Sequence, residues 1–295
     1  MKLILPIQIT DAIVTSNSAV DAHATYNAGT TYAADAMVTY NLRYYKSLQA
    51  SNTGHTPGDA ASVAWWSDQG PSNRAAMYDG LVSTRTTATG TLTLVMTVPT
   101  AVNTLSLINM AGVRTVTVTA TKDAATVYSR NVDMWDTSLI TDWAEYFFAE
   151  AELRTELALT DLPLVPGLVI TTVLTGTATV GVGKFDIGRV LDAGLEQYGL
   201  KREGVDYTNV TFDNFGVATI GTQIYVRKFS TQSLIENNRL DVITRRLDAL
   251  ASTPLVIIGA NGRYDSMIVY GLLSYSLDLA LYGYSYISFD VKGLV

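Results

Sequence analysis

The chain has 295 residues, a net charge of −7 and no cysteine. Its length gives room for one or two domains with a sizeable core, and the missing thiols exclude disulfide scaffolds, thiolate zinc sites and cysteine nucleophiles. The acidic balance, without a basic stripe along the sequence, argues against a nucleic-acid partner. Charged residues are only 16% of the chain while tyrosine reaches 17 residues, a balance that favours strands over exposed helices.

The N-terminal segment MKLILPIQIT has an apolar run that is too short for a signal peptide, and no small-residue cleavage site follows it. The long apolar stretch at 267–289 contains Asp278 and alternates with a period of two, which is not typical of a membrane helix. The sequence therefore predicts neither export by the usual route nor membrane insertion.

Alternating apolar and polar residues predict strands along most of the chain. The clearest are Thr91–Thr97 and Arg114–Ala120. Further strands are predicted at about 3–10, 169–174, 177–182, 223–227, 255–258, 266–272 and 276–291. In the last of these, one face is expected to carry Leu277, Leu279, Leu281, Ile287, Phe289 and Val291. The other face carries Asp278, Tyr282, Tyr284, Tyr286 and Asp290, with a bend or turn at Gly283.

Two segments are predicted to be helical. The first, DWAEYFFAEAELRTEL, starts at Asp142 as an N-cap and has Glu145 at the capping-box position. Its acidic residues Glu145, Glu150, Glu152 and Glu156 are interpreted as a solvated helix face. The second, Leu234–Ala251, has an amphipathic stripe of Leu240, Ile243, Leu247 and Leu250.

No motif with a catalytic mechanism is found. The sequence lacks a G-x-S-x-G elbow, an H-E-x-x-H helix and an EF-hand loop. The stretch Gly176–Lys184 has the wrong glycine spacing for a phosphate loop, and Phe185 follows where Ser or Thr must hold the metal. His23 and His55 lie in polar, turn-like sequence and are predicted to be surface residues. We therefore expect no enzymatic activity, no cofactor and no metal.

Residues 32–66 contain a tyrosine-rich hairpin pattern, a Gly/Pro loop and a tryptophan pair. The segment resembles the chitin-binding type of small carbohydrate-binding module in the order of Tyr32, Val38, Tyr40, Asn41, Tyr44, Tyr45, Asn52, Pro57, Gly58 and Trp65. It departs from that pattern at Leu42 and Arg43, where the family has a glycine turn. The resemblance implies a small β-module with a sugar-binding surface.

A sugar presents apolar C–H faces and hydroxyls, so a surface that binds it needs exposed aromatic rings beside amides and carboxylates. The candidate sugar-binding residues are the platforms Tyr44, Tyr45, Trp65 and Trp66, with Asn41, Asn52 and Asp68 as hydrogen-bond partners. The alternative is that these aromatic residues form the small core of the module itself.

The next segment, 66–87, passes through an Asp79-Gly80 turn into the alternating strands at 91–97 and 114–120. This order resembles the galactose-binding-like, discoidin-type jelly roll. That family often has a structural calcium near its Asp-Gly loop. Asp79 is followed here by Gly80 and Leu81 without a second acidic ligand, so no metal is expected at this position either.

Over the whole chain, the segment W-x-x-x-G-P-S-N at 66–73 is followed by the aromatic segment Trp143–Phe148, then by Phe212–Gly216 and Val226–Ser230. This succession resembles a family of tailed-bacteriophage virion proteins that are found in tails, baseplates and fibres. The resemblance implies a structural protein that is made in the host bacterial cytoplasm and assembled into the virion.

The expected fold is mainly β. It comprises a galactose-binding-like jelly-roll sandwich, a small β-hairpin module, and a β-rich C-terminal region that carries one amphipathic helix. The expected units are an N-terminal strand joining the jelly roll (1–21), a carbohydrate-binding-module-like insert (22–66), the sandwich (67–200) and an assembly region (201–295).

The expected function is that of a structural component of a bacteriophage virion, in the tail, baseplate or fibre attachment, whose aromatic module could contact host glycans. The alternative is a dedicated carbohydrate receptor-binding protein of the tail tip. Expected partners are copies of the chain itself, other virion proteins and host surface glycan, but neither nucleic acid nor a membrane. The tyrosine row Tyr282, Tyr284 and Tyr286 and the Leu234–Ala251 helix are the candidate contacts between copies.

Overall fold

The computed structural model describes residues 1–10, 12–138, 140–148, 152–212, 215–221, 225–260, 264–279 and 282–294. Its strands in chain order are β1 Lys2–Pro6, β2 Val14–Asn17, β3 Met37–Tyr40, β4 Arg43–Ser47, β5 Trp66–Pro71, β6 Thr86–Val98, β7 Thr104–Ile108, β8 Thr115–Lys122, β9 Ala125–Asp133, β10 Trp135–Asp136, β11 Glu152–Leu153, β12 Leu157–Leu159, β13 Leu168–Val182, β14 Lys184–Asp192, β15 Leu195–Glu196, β16 Lys201–Asp206, β17 Val210–Phe212, β18 Ala218–Ile220, β19 Tyr225–Glu236, β20 Leu255–Ile258, β21 Ile268–Asp278 and β22 Tyr284–Gly293. The α-helices are α1 Trp143–Phe148 and α2 Asn237–Ala249. Single 3₁₀ turns lie at Ala60–Ser62, Ala76–Tyr78 and Asp265–Met267.

Strand residues are 53% of the chain and helical residues 10%, which confirms the predicted mainly β class. Ten strands form one curled sheet in the order β12-β7-β14-β1-β20-β21-β22-β19-β15, and β16 also pairs with β19. A second sheet has the order β2-β6-β13-β8-β9, and β3, β4 and β5 form a small third sheet. Neighbouring strands run antiparallel in all three sheets.

A sandwich core forms between the second sheet and the strands β12, β7 and β14 of the large sheet. Strand β8 shows why: its valines and Ala120 are buried while the intervening threonines are not, so one face is apolar. Strand β14 is buried on both faces. Its Phe185 and Ile187 enter the sandwich core, and the alternation of the strand directs Lys184 and Asp186 to the opposite face.

A second core lies on the C-terminal half of the large sheet and is covered by α2. Ile243 and Leu247 of the helix are buried in the same cluster as Ile287, Phe289 and Val291 of β22. These contacts confirm the amphipathic stripe predicted for the helix and, in the buried face predicted for the last strand, the positions of Ile287, Phe289 and Val291.

Strand β1 lies in the middle of the large sheet. Leu3 faces Leu191 of β14 on one side and Ile257 of β20 on the other. Gly188 of β14 makes this approach possible, because a Cβ atom there would lie 1.9 Å from the Leu5 carbonyl oxygen. Through β1, strands from the 67–200 segment and from the 201–295 segment share one sheet.

Two strands predicted at 169–174 and 177–182 are a single strand, β13. Its register against β6 shifts between Thr175 and Thr179. Gly176 lies in that shift, where a Cβ atom would be 2.1 Å from the Gly112 carbonyl oxygen. A glycine in a strand pattern thus marks an irregularity within one strand and not its end.

The helix predicted from Asp142 is shorter than expected. It ends at Phe148, and Glu152 and Leu153 pair as a strand with Asp136 and Trp135. Residues 149–151, including Glu150, lie outside the described residues.

The strand predicted at 276–291 is two strands, β21 and β22, which turn between residues 279 and 283. Leu277, near the end of β21, and Leu279, just beyond it, are 39% and 69% exposed, contrary to prediction, and neither belongs to the core cluster that contains the buried residues of α2. Leu281, like residues 213–214 and 223, lies outside the described residues.

Candidate functional site

The predicted sugar-binding residues lie in the third sheet, where β3 and β4 are joined by a two-residue turn. Asn41 and Leu42 form this turn with φ angles of 46° and 59°. Two consecutive positive φ angles are those of a type I′ hairpin, which asparagine adopts readily and leucine only at a cost in free energy. The hairpin turn therefore forms even though Leu42 occupies a position that favours glycine.

Trp66 and Tyr45 form the core of the module and are not an open platform. They are 5% and 8% exposed and cluster with Val38. The indole N–H of Trp66 donates to the His55 carbonyl oxygen at 2.7 Å, and its ring meets the ring of Tyr32 edge-on at 5.3 Å. Neither ring has a free face for a sugar. The structure therefore supports the alternative interpretation, in which both residues belong to the core of the module.

Asn52 is also an internal residue of the module. Its backbone exchanges hydrogen bonds with Tyr32, and its side-chain amide donates to the Ser47 hydroxyl at 3.0 Å and to the Trp65 carbonyl oxygen at 3.3 Å. The residue is fully buried. It connects the loop at 48–52 to β4 and is not available to a ligand in solution.

Trp65 and Tyr44 are half-buried and have separate roles. The Trp65 indole stacks on the His55 imidazole at 3.9 Å, so one of its faces is covered. The Tyr44 hydroxyl accepts hydrogen bonds from the backbone N–H groups of Ala22 and Asn73. Tyr44 thus ties the module to the segment that leads into the sandwich.

The two remaining predicted residues, Asn41 and Asp68, are exposed. Burial alone would raise the pKa of Asp68, but hydrogen bonds from Arg43 and from the Gly70 N–H hold it below its usual value. The Arg43 Nε atom lies 2.7 Å from the carboxylate. The seven predicted residues are therefore brought into one small module, but they do not form one surface.

A cluster of exposed aromatic residues lies elsewhere, in a projection at 134–153 that we call the knob, of which residues 134–138, 140–148 and 152–153 are described. In it the ribbon β10–β11 carries α1, none of whose six residues is buried. Trp143, Tyr146, Phe147 and Phe148 are between 63% and 86% exposed. At about 200 Å² for a fully exposed aromatic side chain, these four present roughly 600 Å² to solvent.

The knob helix is held by its own capping box. The Glu145 N–H donates to Asp142 Oδ1 at 2.8 Å, and Glu145 Oε2 accepts from the Thr141 N–H at 2.6 Å, as the sequence predicts. Trp143 and Phe147 stack, with Tyr146 edge-on to both. A helix of about one and a half turns is too short to be stable alone in water. Packing its exposed ring cluster against another surface would stabilise it.

A second projection, the arm, extends from the pair β16–β19. All of its described residues from 209 to 221 are exposed, including Phe212 and Phe215 on the hairpin β17–β18. A two-stranded hairpin whose described residues are all exposed is marginally stable. In the sequence, Phe212–Gly216 stands out only as part of a family pattern, since exposure cannot be read from the residues themselves.

A third exposed apolar region, the tip, lies at the turn between β21 and β22. Leu279 and Tyr282 are exposed there, Tyr284 is partly so, and Tyr286 is half-buried. Tyr284 pairs with Glu236 at the end of β19 opposite the arm. Twelve strand residues separate these ends, a distance of roughly 40 Å.

A cavity of about 580 Å³ opens between the base of the knob and the segment 264–266. Two of its charged residues pair with each other, Arg154 Nη1 lying 3.0 Å from Asp265 Oδ2, and a third, Glu156, pairs with a residue outside the cavity, its Oε1 lying 2.5 Å from Arg227 Nη1. Arg154 also donates to the Asp133 carbonyl oxygen. These contacts join the base of the knob to β19 and to the segment 264–266.

The face of β14 opposite the sandwich core carries a buried pair, Lys184 and Asp186. Lys184 Nζ lies 3.5 Å from Asp186 Oδ1, donates to the Asp79 carbonyl oxygen at 2.7 Å and sits over the Tyr270 ring. Burial raises the pKa of Asp186 despite the opposing charge of Lys184. Burial also raises the pKa of Tyr270 to about 12, with help from Asp186 and Asp79. The pair anchors the predicted Asp79-Gly80 turn to the large sheet.

Among the described residues, no group of three or more His, Asp or Glu side chains is placed to hold a metal ion. In the same part of the chain, no helix has the length and apolar composition to cross a membrane.

Three comparisons with known proteins gave no match. Neither a scan against protein-family models, nor a search of curated proteins, nor a search of solved structures found a significant similarity. Any functional interpretation therefore rests on the sequence and on the geometry described above.

Proposed function

We propose that the protein is a structural component of a bacteriophage virion, in the tail, baseplate or fibre attachment, and that it works by binding copies of itself and other virion proteins. The observation that carries the proposal is the exposed apolar surface of the knob, the arm and the tip. Folded monomers rarely keep apolar patches of more than a few hundred Å² in water unless those patches bind something.

The distribution of these surfaces supports an assembly role in particular. The arm and the tip lie at opposite ends of β19, so one partner of ordinary size does not cover both. A protein that meets neighbours on several sides has the contacts that a closed or repeating assembly requires.

The alternative, a dedicated carbohydrate receptor-binding protein, has less support. Of the four aromatic residues expected to stack on sugar, Trp66 and Tyr45 are in the module core, and Trp65 has one face on His55. A glycan contact by this module would rest on Tyr44 and the outer face of Trp65 alone.

Sedimentation velocity of the purified full chain tests the proposal, over protein concentrations that span two orders of magnitude. We expect concentration-dependent oligomers of defined size. A protein that stays monomeric at every concentration, and that is absent from purified virions by mass spectrometry, would overturn the proposal.

A further inference from the structure

We propose that copies of the chain join head to tail, with the knob of one copy seated on an arginine stripe along α2 of the next. This inference rests on the proposed assembly function and names its partner and contact surfaces. The partner that covers the knob is thus a second copy of this chain.

The charge of the knob selects against a symmetric contact of knob with knob. Residues 134–153 contain five acidic residues and neither lysine nor arginine. This segment therefore has a net charge of −5, whereas the whole chain has a net charge of −7. The hydrogen bond from the Thr141 N–H lowers the pKa of Glu145, which favours its ionised form. Two knobs face to face would bring like charges together, which is unfavourable. The knob therefore fits a basic surface that also offers apolar contact.

Helix α2 carries such a surface along one exposed flank, beside its buried face. At 100° a residue, Arg239, Val242 and Arg246 lie along one stripe with Arg245 beside it, while Ile243 and Leu247 face inward. Val242 is half exposed. Among the described residues, no carboxylate is within ion-pair distance of these three arginines.

The acidic residues of α2 do not neutralise the stripe. Asp241 and Asp248 lie on the other flank of the helix, and Asp248 accepts a hydrogen bond from the Tyr275 hydroxyl. Arg245 Nε donates to the Asp241 backbone carbonyl at 3.0 Å, not to its carboxylate. The arginine charges are therefore available to a partner.

The two surfaces also match in chemistry, and the exposed aromatic area of the knob approaches what an interface needs. A guanidinium stacks on an aromatic face and pairs with a carboxylate, and the knob offers both groups side by side. Its four aromatic residues supply roughly 600 Å² of the about 800 Å² that each partner buries in a stable interface. Trp, Tyr and Arg are also the residues that contribute most often to binding energy at the centre of such interfaces.

Because the knob and the stripe are different surfaces, the contact is heterologous. Each copy keeps one free knob and one free stripe after it binds a neighbour. Such contacts produce a closed ring when the rotation between copies closes, and a filament when it does not.

Mixing two variants tests the contact. The knob variant is F147S/F148S, which leaves the capping box intact, and the stripe variant is R239E/R246E, which leaves the buried face of α2 intact. K122E/K201E is the control with the same change in charge, on β8 and β16. We expect each of the first two variants to weaken self-association at least about thirtyfold, the change typical of losing a central interface residue, and the control to assemble like wild type.

An equimolar mixture of the knob and stripe variants should form a dimer with one copy of each and nothing larger, because only one intact pair of surfaces exists. If the wild type assembles and either variant assembles equally well, or if the mixture stays monomeric, the head-to-tail contact is overturned and the proposed function stands. A wild type that is monomeric throughout overturns the head-to-tail contact, and it overturns the proposed function as well if the protein is also absent from purified virions. Should either variant lose the circular dichroism of the wild type, F147Q/F148Q and R239Q/R246Q take their places with the same expected results.

Discussion

Replacing Trp66 with alanine separates a core role from a binding role in the hairpin module. The residue is 5% exposed and its indole N–H is bonded to the His55 carbonyl. Truncating a buried tryptophan costs about 3–5 kcal/mol, and here the His55 carbonyl also loses its partner. Among the described residues, the other buried members of this apolar cluster are Val38 and Tyr45, and the remaining aromatic residues packed on it are partly buried. We therefore expect the module to unfold locally while the sandwich core stays folded.

Hydrogen exchange of the backbone amides in β3 and β4 measures this directly. In W66A these amides should exchange at the rate of an open hairpin, while those of β8 and β13 keep their protection. The matched control is W65A, because Trp65 is half-buried and its hydrogen bonds within the module, from its N–H to Ser62 and to its carbonyl from Leu48 and Asn52, are made by its backbone, which alanine keeps. We expect it to cost about 1 kcal/mol or less. Unchanged exchange in W66A, or equal effects of the two substitutions, would refute the assignment of Trp66 to the core.

Three further substitutions test other parts of the structure. Leu42→Gly should raise the free energy of unfolding by about 0.5–1 kcal/mol in guanidinium titrations, since it relieves a positive φ in the hairpin turn; a destabilised variant would contradict the type I′ geometry. Gly188→Ala should lower that free energy by about 3 kcal/mol or more, because the added Cβ meets the Leu5 carbonyl; wild-type stability would mean that β1 and β14 are not this close. The wild type should lose stability as pH rises from about 4 through the raised pKa of Asp186, because the native state holds the proton of this carboxyl group more tightly than the unfolded chain does. Asp186→Asn should remove this loss. Parallel plots of unfolding free energy against pH for the variant and the wild type would contradict the buried position of the carboxyl group.

The local patterns of the sequence predict much of the fold. Strict alternation in β8, the three-and-four spacing of Leu240, Ile243 and Leu247, and the capping box at Asp142 each depend on neighbours within a few residues. Such signals are preserved in the folded chain because backbone geometry fixes which side chains share a face. The strand at 255–258 is found with its predicted ends.

The candidate site was harder to predict because it depends on exposure. Trp66 and Phe148 are both aromatic residues in aromatic segments, yet the first is in a core and the second is 86% exposed. That difference is set by tertiary packing, which the residue pattern does not report. The end of α1 is a similar case, since Glu152 and Leu153 pair with β10 although their residue types suit a helix.

Oxidative footprinting of the assembled protein tests the central claim, that the exposed apolar surfaces are assembly surfaces, most directly. The account predicts that Trp143, Phe147 and Phe148 are labelled strongly in the dissociated monomer and protected in the assembly, while Trp65 is labelled equally in both. If the knob residues are labelled as strongly in the assembly as in the monomer, the claim is contradicted.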